Sequence, residues 1–384
     1  MAEEFSPLSP PHDPWPHLAR LRSRCPVTKY EEQHLSLVTA YAEARAALRN
    51  PATYSSRVRP KENPEEHSLV STDPPDHTRL RKLINGAFPI ERIRRLEPRI
   101  REIAHELLDA IDTSAAFDLV RDFTVPLPVT VIAELLGVDL ADRAKFKRWS
   151  DDTIHHDAGG EAVSSYDEFR AWAREQIVER REGSDPPDDL LTAVALAESE
   201  GTRLTEGEAA SMAIILVIAG NETTTNALGT AIHRMLAEPG LMERLIDDRG
   251  LIPNLVEETV RVDPPITALP RRALSDASLD GAAIDQGEML LVHLGAANRD
   301  PDVFAEPDQF DIDREASHAH IGFGYGPHTC VGAPLARAEM AIGLDVLLER
   351  MPGLRLAETQ DPPQVGFFLI RGPASLIVEA GGDR

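Results

Sequence analysis

A glycine-rich stretch near the C-terminal end of the chain presents a single cysteine. The glycines and Pro327 of residues 322–332 are incompatible with a helix or a regular strand, so the backbone must form a tight loop. Cys330 ends this loop, and the residues from Ala333 onward are typical of a helix start. The unpaired N–H groups at a helix N-terminus favour a thiolate over a thiol. A lone thiolate that a large flat group can approach closely suits the iron of a haem.

Other uses of such a loop fit these residues poorly. A phosphate-binding loop needs Lys-Ser/Thr after its glycines, and none follows. A dinucleotide-binding fingerprint fails because Pro327 or Thr329 stands where its third glycine belongs. A zinc site needs about four ligands, and His328 with Cys330 supplies two. The pattern therefore favours a haem over a phosphate, a dinucleotide or zinc.

The loop resembles the haem-binding loop of the cytochrome P450 family, written Phe-Gly-x-Gly-x-His-x-Cys-x-Gly. Every fixed position of that pattern is matched, by Phe323, Gly324, Gly326, His328, Cys330 and Gly332. The resemblance implies that Cys330 is the axial thiolate ligand of a haem b. It also implies that Phe323, Gly324, His328 and Gly332 bind the cofactor.

A second unusual stretch interrupts the longest predicted helix. A capping box at Thr205 opens this helix, which should run to about Glu238. Residues 212–218 are apolar all round, so the helix should cross the interior. Gly220 and the polar residues after it then break this pattern. A glycine in the middle of a helix costs about 1 kcal/mol relative to alanine. Local rules broken inside a buried helix indicate a functional site, and we expect a kink that opens a groove.

This interruption resembles the family's Ala/Gly-Gly-x-Asp/Glu-Thr pattern on the oxygen-binding face of the haem. The matching residues are Ala219, Gly220, Glu222 and Thr223. The resemblance implies that Ala219 and Gly220 lie against the cofactor, that Glu222 brings protons from bulk water, and that Thr223 holds oxygen and its water in place. A buried polar network without chemistry is the alternative.

Three basic residues are candidate partners of the haem propionates. His77 and Arg81 are four residues apart and share one face of a predicted helix. A solvated basic face is the commoner explanation of such a pair, but the family has His-x-x-x-Arg in the corresponding helix. Arg271, two residues before Ala273, matches the family's Arg-x-Ala better than Arg272 does. Buried carboxylates need cationic or donor partners of this kind.

The resemblance covers about residues 73–372 and implies a fold and a structural ion pair. The fold is mainly α with small β-sheets, the cytochrome P450 fold, with the haem between the long central helix and the Cys-loop helix. We expect a single domain over residues 1–384, of which residues 1–16 form a loose N-terminal arm. Glu258 and Arg261 match the family's Glu-x-x-Arg, an ion pair behind the haem that Arg314 should join.

Composition limits the partners and the compartment. The net charge of -24 argues against nucleic acid and anionic membrane surfaces as general partners. With only Cys25 and Cys330, no disulfide framework is available, which fits a reducing compartment. Neither a signal peptide nor an apolar run of the ~18 residues that span a bilayer is recognisable. We therefore expect a cytoplasmic protein without a membrane segment.

Together the motifs predict a haem-thiolate monooxygenase. It would use O2 and two electrons to insert one oxygen atom into a small to medium, mostly hydrophobic organic substrate. The chain has no flavin or iron–sulfur module, so the electrons should come from a separate ferredoxin-type donor and its reductase. The anomalously basic residues 79–101 are the expected docking region. The alternatives are a haem-binding sensor or carrier without turnover, a peroxide-driven variant, and a helical scaffold without cofactor.

Overall fold

The computed structural model describes residues 5–58, 68–138, 145–146, 148–149, 161–199, 201–315, 317–357, 362–366 and 368–381, with the backbone alone at residues 161–164. Its helices are α1 Trp15–Arg24, α2 Tyr41–Arg49, α3 Asp76–Ala87, α4 Ile90–Asp109, α5 Pro126–Leu135, α6 Glu161–Glu182, α7 Leu190–Ala195, α8 Glu206–Ala237, α9 Leu241–Asp247, α10 Ile252–Val262, α11 Leu294–Ala297 and α12 Ala333–Arg350. Its strands are β1 Val27–Tyr30, β2 Leu35–Val38, β3 Tyr54–Ser55, β4 Phe117–Asp118, β5 Glu198–Ser199, β6 Thr202–Arg203, β7 Ala268–Ala273, β8 Ala277–Leu279, β9 Ala282–Ile284, β10 Met289–His293, β11 Arg355–Leu356 and β12 Ile377–Glu379.

The strands form small sheets beside a larger helical part. Five of them make one sheet in the order β1-β2-β10-β7-β3, in which only β2 and β10 run parallel. β11, β12 and β4 form a second sheet, and β5–β6 and β8–β9 pair separately. The central strands β2 and β10 are buried almost throughout, as their apolar residues require. The predicted fold class, mainly α with small sheets, is confirmed.

The long helix α8 crosses the interior as predicted. At its start the Thr205 hydroxyl accepts a hydrogen bond from the Glu208 amide, and the Glu208 carboxylate accepts one from the Thr205 amide. These bonds satisfy two N–H groups that the helix itself leaves unpaired. The helix continues without interruption through Gly220, so the expected kink is not a break in the α-helix.

Helix α12 connects the Cys loop to the rest of the core. It packs against α4, α8 and α10, and its inward side chains are buried. Arg101 of α4 forms an ion pair with Asp345 of α12, at 2.7 Å. The position of the loop that precedes α12 is therefore determined by three helices from distant parts of the chain.

The N-terminal segment is anchored at Trp15. The expected loose arm includes Trp15 and Pro16, but both belong to α1. The Trp15 ring lies 4.1 Å from the guanidinium carbon of Arg299 and 5.5 Å from that of Arg371. Residues 1–4 lie outside the described residues. No helix in the described ranges is both long and apolar enough to cross a membrane.

Candidate functional site

The Cys loop adopts backbone conformations that its glycines permit. Gly324 and Gly326 have φ angles of 76° and 75°, in the left-handed region. A side chain at Gly326 would also place its Cβ 2.8 Å from the Leu48 carbonyl oxygen. The amide of Cys330 donates a hydrogen bond to the Phe323 carbonyl oxygen at 2.8 Å. This bond closes the loop and fixes the cysteine backbone relative to Phe323.

The Cys330 sulfur lies at the start of α12, where two amides point at it. Burial raises the pKa of the Cys330 thiol, against the opposing effects of the Gly332 and Ala333 amides and of Arg81 and Arg337. The amides at the helix N-terminus thus act in the expected direction, toward the thiolate, but desolvation of the sulfur outweighs them. A coordinated metal deprotonates a thiol outright.

The Cys330 side chain lines an internal hollow. It is exposed to solvent, and yet it lies deep enough among protein atoms for burial to raise its pKa. An outer-surface side chain would not combine the two properties. The sulfur is thus open to a ligand that enters the hollow.

Four basic side chains converge next to this loop, namely the three candidate propionate partners and His328. The rings of His77 and His328 are 4.0 Å apart, and Ser56 Oγ lies 3.1 Å from His328 Nε2. Arg81 Nη1 donates to the Thr329 carbonyl oxygen at 2.6 Å. Arg271 comes from β7 and is 5% exposed. α3, β7 and the Cys loop therefore bring together residues that are far apart in the sequence.

The pKa values of this cluster are lowered first by burial and, for the two histidines, also by neighbouring positive charges. Burial, together with the neighbouring charges, lowers the pKa of His328 to about 3, and burial lowers that of Arg271 to about 10. Burial also lowers the pKa of His77 and of Arg81. Bound carboxylates would relieve the repulsion and replace the lost hydration.

One buried nitrogen identifies where a carboxylate would bind. Within the described part of the chain, His77 Nε2 has no hydrogen-bond partner, although His77 is only 2% exposed. Such an unsatisfied buried group costs free energy and needs an explanation. A haem supplies carboxylates for His77, Arg81 and Arg271 and an iron for Cys330, so the residues present fit this cofactor.

The polar stretch of α8 also faces a hollow. Ala219 is exposed in the middle of a helix whose interior turns are buried. Thr223 Oγ1 donates to the Ala219 carbonyl oxygen at 2.6 Å, so its lone pairs remain available as acceptors. Glu222 is half-buried. A Cβ at Gly220 would meet Ile132 at an ordinary 3.7 Å, so protein packing alone does not require this glycine.

Comparison with known proteins identifies the family. The family model described as cytochrome P450 matches residues 138–375, more than half of the chain. The chain belongs to the cytochrome P450 family. Members of this family are haem-thiolate enzymes, so the cofactor is a haem held through a cysteine thiolate, and the protein is a P450 monooxygenase, an oxidoreductase.

Individual cytochromes P450 resemble the chain over most of its length. Cytochrome P450 107B1 of Saccharopolyspora erythraea is 42% identical over 82% of this chain and 77% of its own. Mycinamicin IV hydroxylase/epoxidase of Micromonospora griseorubida is 42% identical over 89% of this chain and 88% of its own. The crystal structure of CYP109E1 from Bacillus megaterium in complex with testosterone has a TM-score of 0.89 and 33% identity, covering 96% of this chain and 99% of that one.

The P450 ion pair behind the Cys loop is present as predicted. Arg261 donates to both carboxylate oxygens of Glu258 at 2.7 Å, and both side chains are completely buried. Arg314 Nε donates to the same carboxylate at 3.1 Å. Arg261 also donates to the carbonyl oxygens of residues 298, 307 and 309. Its charge is thus distributed over a framework that fixes the segment leading to the loop.

Sequence reasoning missed two carboxylates near the loop. Glu257 binds Arg337 and His320, and it precedes the recognised Glu258 by one residue. Glu339 of α12 is 1% exposed and faces Thr224 of α8. Burial raises the pKa of Glu339 well above the ordinary value, against a hydrogen bond with Thr224 that lowers it. A charged residue on the inward face of an apolar helix was the available signal for Glu339.

Proposed function

We propose that Cys330 is the axial ligand of the haem and that His77, Arg81, Arg271 and His328 bind its propionate side. The observation that carries this proposal is the unpartnered His77 Nε2, in a cluster of buried basic groups beside an accessible thiol. Phe323, Gly324, Gly332, Ala219 and Gly220 would border the two faces of the macrocycle. When bound, the haem supplies the iron for oxygen activation, and a thiolate ligand favours O–O cleavage.

Glu222 and Thr223 would manage the protons and the oxygen. The overall reaction is substrate-H plus O2, two electrons and two protons, giving hydroxylated substrate and water. Thr223 presents a hydroxyl acceptor to the hollow, because its own proton is donated to Ala219. Glu222, the adjacent half-buried acid, would carry protons from water to that position.

The substrate would be a mostly hydrophobic organic molecule. On α8, Ile215 and Leu216 are half-buried and Ala219 is exposed, one turn apart along the face that leads to Thr223. Leu269 would lie 3.7 Å from a Cβ at Gly324, which places this leucine beside the Cys loop. The relatives' names, a mycinamicin IV hydroxylase/epoxidase and a testosterone-bound P450, support an organic substrate.

From the sequence we also expect Met212, on the helix face that leads to Thr223, and Phe367 or Phe368 to line the pocket. Met212 is instead 1% exposed and belongs to the core. Phe367 lies outside the described residues. Electrons would come from a ferredoxin-type donor and its reductase, as is general for bacterial cytochromes P450.

The spectrum of the reduced, carbon monoxide-treated protein tests the proposal. The parent should show the red-shifted Soret band of a thiolate-ligated haem, and Cys330→Ser should lose it. Cys25→Ser is the matched control, because Cys25 is the other cysteine and its thiol donates to the Val27 carbonyl oxygen at 2.9 Å. Retention of the band in Cys330→Ser would overturn the ligand assignment. Product formation with hydrogen peroxide alone, and none with NADH, ferredoxin and reductase, would overturn the electron-donor assignment.

A further inference from the structure

A buried carboxylate holds the Cys loop from the side of α10. Glu257 is 4% exposed. Its oxygens accept hydrogen bonds from Arg337 Nε at 2.5 Å and from Arg337 Nη2 at 3.0 Å. His320 Nε2 lies 3.1 Å from the same carboxylate. One carboxylate thus joins the residues just before the loop to the helix just after it.

The hydrogen bonds of His320 determine its protonation. The Gly322 amide donates to His320 Nδ1 at 3.0 Å, so Nδ1 carries no proton. The proton of the neutral ring is therefore on Nε2 and is donated to Glu257. A Cβ at Gly322 would lie 2.5 Å from the Val260 carbonyl oxygen, so the loop backbone rests directly on α10. Glu257 and His320 fix this contact.

Arg337 extends the same network toward the cysteine. Its guanidinium carbon lies 4.3 Å from the centroid of the Phe323 ring, and the Phe323 carbonyl oxygen accepts the Cys330 amide. Burial acts to raise the pKa of Glu257, but His320 and Arg337 outweigh it and hold that pKa well below its usual range. Glu257 is consequently a fixed negative charge paired with a positive charge close to Cys330.

We propose that Glu257 is a positioning residue for the thiolate loop, and that it sets the haem reduction potential by compensating the charge of Arg337. This inference rests on the proposed ligation by Cys330. Reduction adds one negative charge to the site, and a nearby positive charge favours it. A positive charge left uncompensated must therefore raise the potential, and a negative charge left uncompensated must lower it.

The experiment is a spectroelectrochemical titration of the haem-loaded protein without substrate. Glu257→Gln keeps the side-chain shape and should shift the midpoint potential to a more positive value. Arg337→Met should shift it to a more negative value, and the double variant should return close to the parent. The absorption spectrum of the oxidised protein should be recorded with each titration, because a change in iron spin state would shift the potential for another reason.

Asp189→Asn is the matched control. Asp189 accepts two hydrogen bonds from Arg180, at 3.1 and 2.7 Å, and their side chains are 7% and 5% exposed. This pair joins α6 to the start of α7 and includes no residue of the Cys loop. Asp189→Asn should lower the melting temperature as a buried ion-pair variant does, while leaving the potential unchanged.

Opposite shifts in the two single variants support the inference, because loosening the loop would move both potentials in the same direction. Equal potentials in parent and variants, or shifts of the same sign, overturn it. If Glu257→Gln does not bind haem, Arg337→Met alone tests the inference: a more negative midpoint potential supports it, and an unchanged or more positive one overturns it. A parent without the red-shifted carbon monoxide band would refute the proposed function. If the parent shows the band but the two single variants do not shift the potential in opposite directions, only this inference is refuted.

Discussion

The hydroxyl of Thr223 donates its proton to the Ala219 carbonyl, 2.6 Å away, and so faces the hollow as an acceptor. Thr223→Ala should therefore keep substrate binding and NADH consumption but release hydrogen peroxide in place of product. Thr223→Ser retains the hydroxyl and should restore most of the product yield. Measured product and peroxide per NADH will check this, and an unchanged product yield in Thr223→Ala would contradict the role.

Glu222→Gln should act on the rate rather than on the product yield. Removing a proton-transfer group typically costs about 10²-fold or more in rate, so turnover should fall by roughly this factor. The solvent isotope effect on turnover should increase, because proton delivery becomes slower relative to the other steps. Parent-like turnover and isotope effect in this variant would show that protons arrive by another path.

His77 offers a test that separates binding of the haem from stability of the protein. Its Nε2 is buried without a partner in the described structure, so His77→Phe should remove an unsatisfied group of about 1–3 kcal/mol while keeping the ring contact with His328. The haem-free variant should be at least as stable as the haem-free parent. It should nevertheless lose haem faster to an excess of apomyoglobin. Equal rates of loss would exclude a propionate contact.

The site residues that could be predicted from the sequence are those whose role follows from the local backbone or from helix spacing. Gly324 and Gly326 are required by positive φ angles, and the spacing of His77 and Arg81 places them on one helix face. Glu257 has no such signal, because its partners His320 and Arg337 are 63 and 80 residues away. Its pairing exists only after α10 and α12 pack together. The raised pKa of Cys330 was equally hidden, since desolvation depends on the complete fold.

Among the elements, the predicted helix ends were the most reliable features. The capping box at Thr205 and the residues after Cys330 correctly indicated where α8 and α12 begin. Gly220 does not interrupt α8, whose turns are held by packing on other helices. Tertiary contacts thus override local propensity where a helix is buried.

Packing of α12 against α8 should make the stability of the protein pH-dependent through Glu339. Burial raises the pKa of Glu339 in the folded state, so the folded protein keeps a proton that the unfolded chain releases above pH about 4.3. Stability is therefore lost as the pH rises above that value, by up to about 1.4 kcal/mol per pH unit until the folded-state pKa is reached. Glu339→Gln, which cannot ionise, should avoid this loss.

Chemical unfolding between pH 5 and pH 8, in about 0.15 M salt, will check the prediction. The advantage of Glu339→Gln over the parent should be small at the acidic end and should grow toward the alkaline end. Glu349→Gln is the control on the same helix, because the Glu349 side chain is 56% exposed. A constant difference between Glu339→Gln and the parent over this range would show that Glu339 is ionised in the folded protein.

At the scale of the whole molecule, ion pairs neutralise several of the arginines in the basic region that the sequence suggests for docking. Arg79 pairs with Glu208, Arg92 with Asp188, and Arg99 with Glu134. These arginines bind the protein's own carboxylates and have little charge to offer a donor. The expectation that all of residues 79–101 act as one basic surface therefore needs correction.

Arg94 and Arg95 remain as the cations of this region best placed to meet a donor. Both are exposed, and neither forms an ion pair with another described residue. They lie on α4, which packs on α12, the helix that follows Cys330. An acidic carrier that docks on this basic region should therefore meet these two residues.

Arg94→Glu with Arg95→Glu should raise the KM for a ferredoxin-type donor, strongly at low ionic strength and much less at 0.5 M salt, because screening removes the repulsion. The carbon monoxide spectrum and the substrate-induced Soret shift should stay as in the parent. Arg20→Glu with Arg24→Glu makes the same change in net charge, from -24 to -28, on α1 and controls for the overall charge. If both double variants show the same salt-dependent KM, net charge alone governs association. If neither differs from the parent at low salt, the donor docks on another surface.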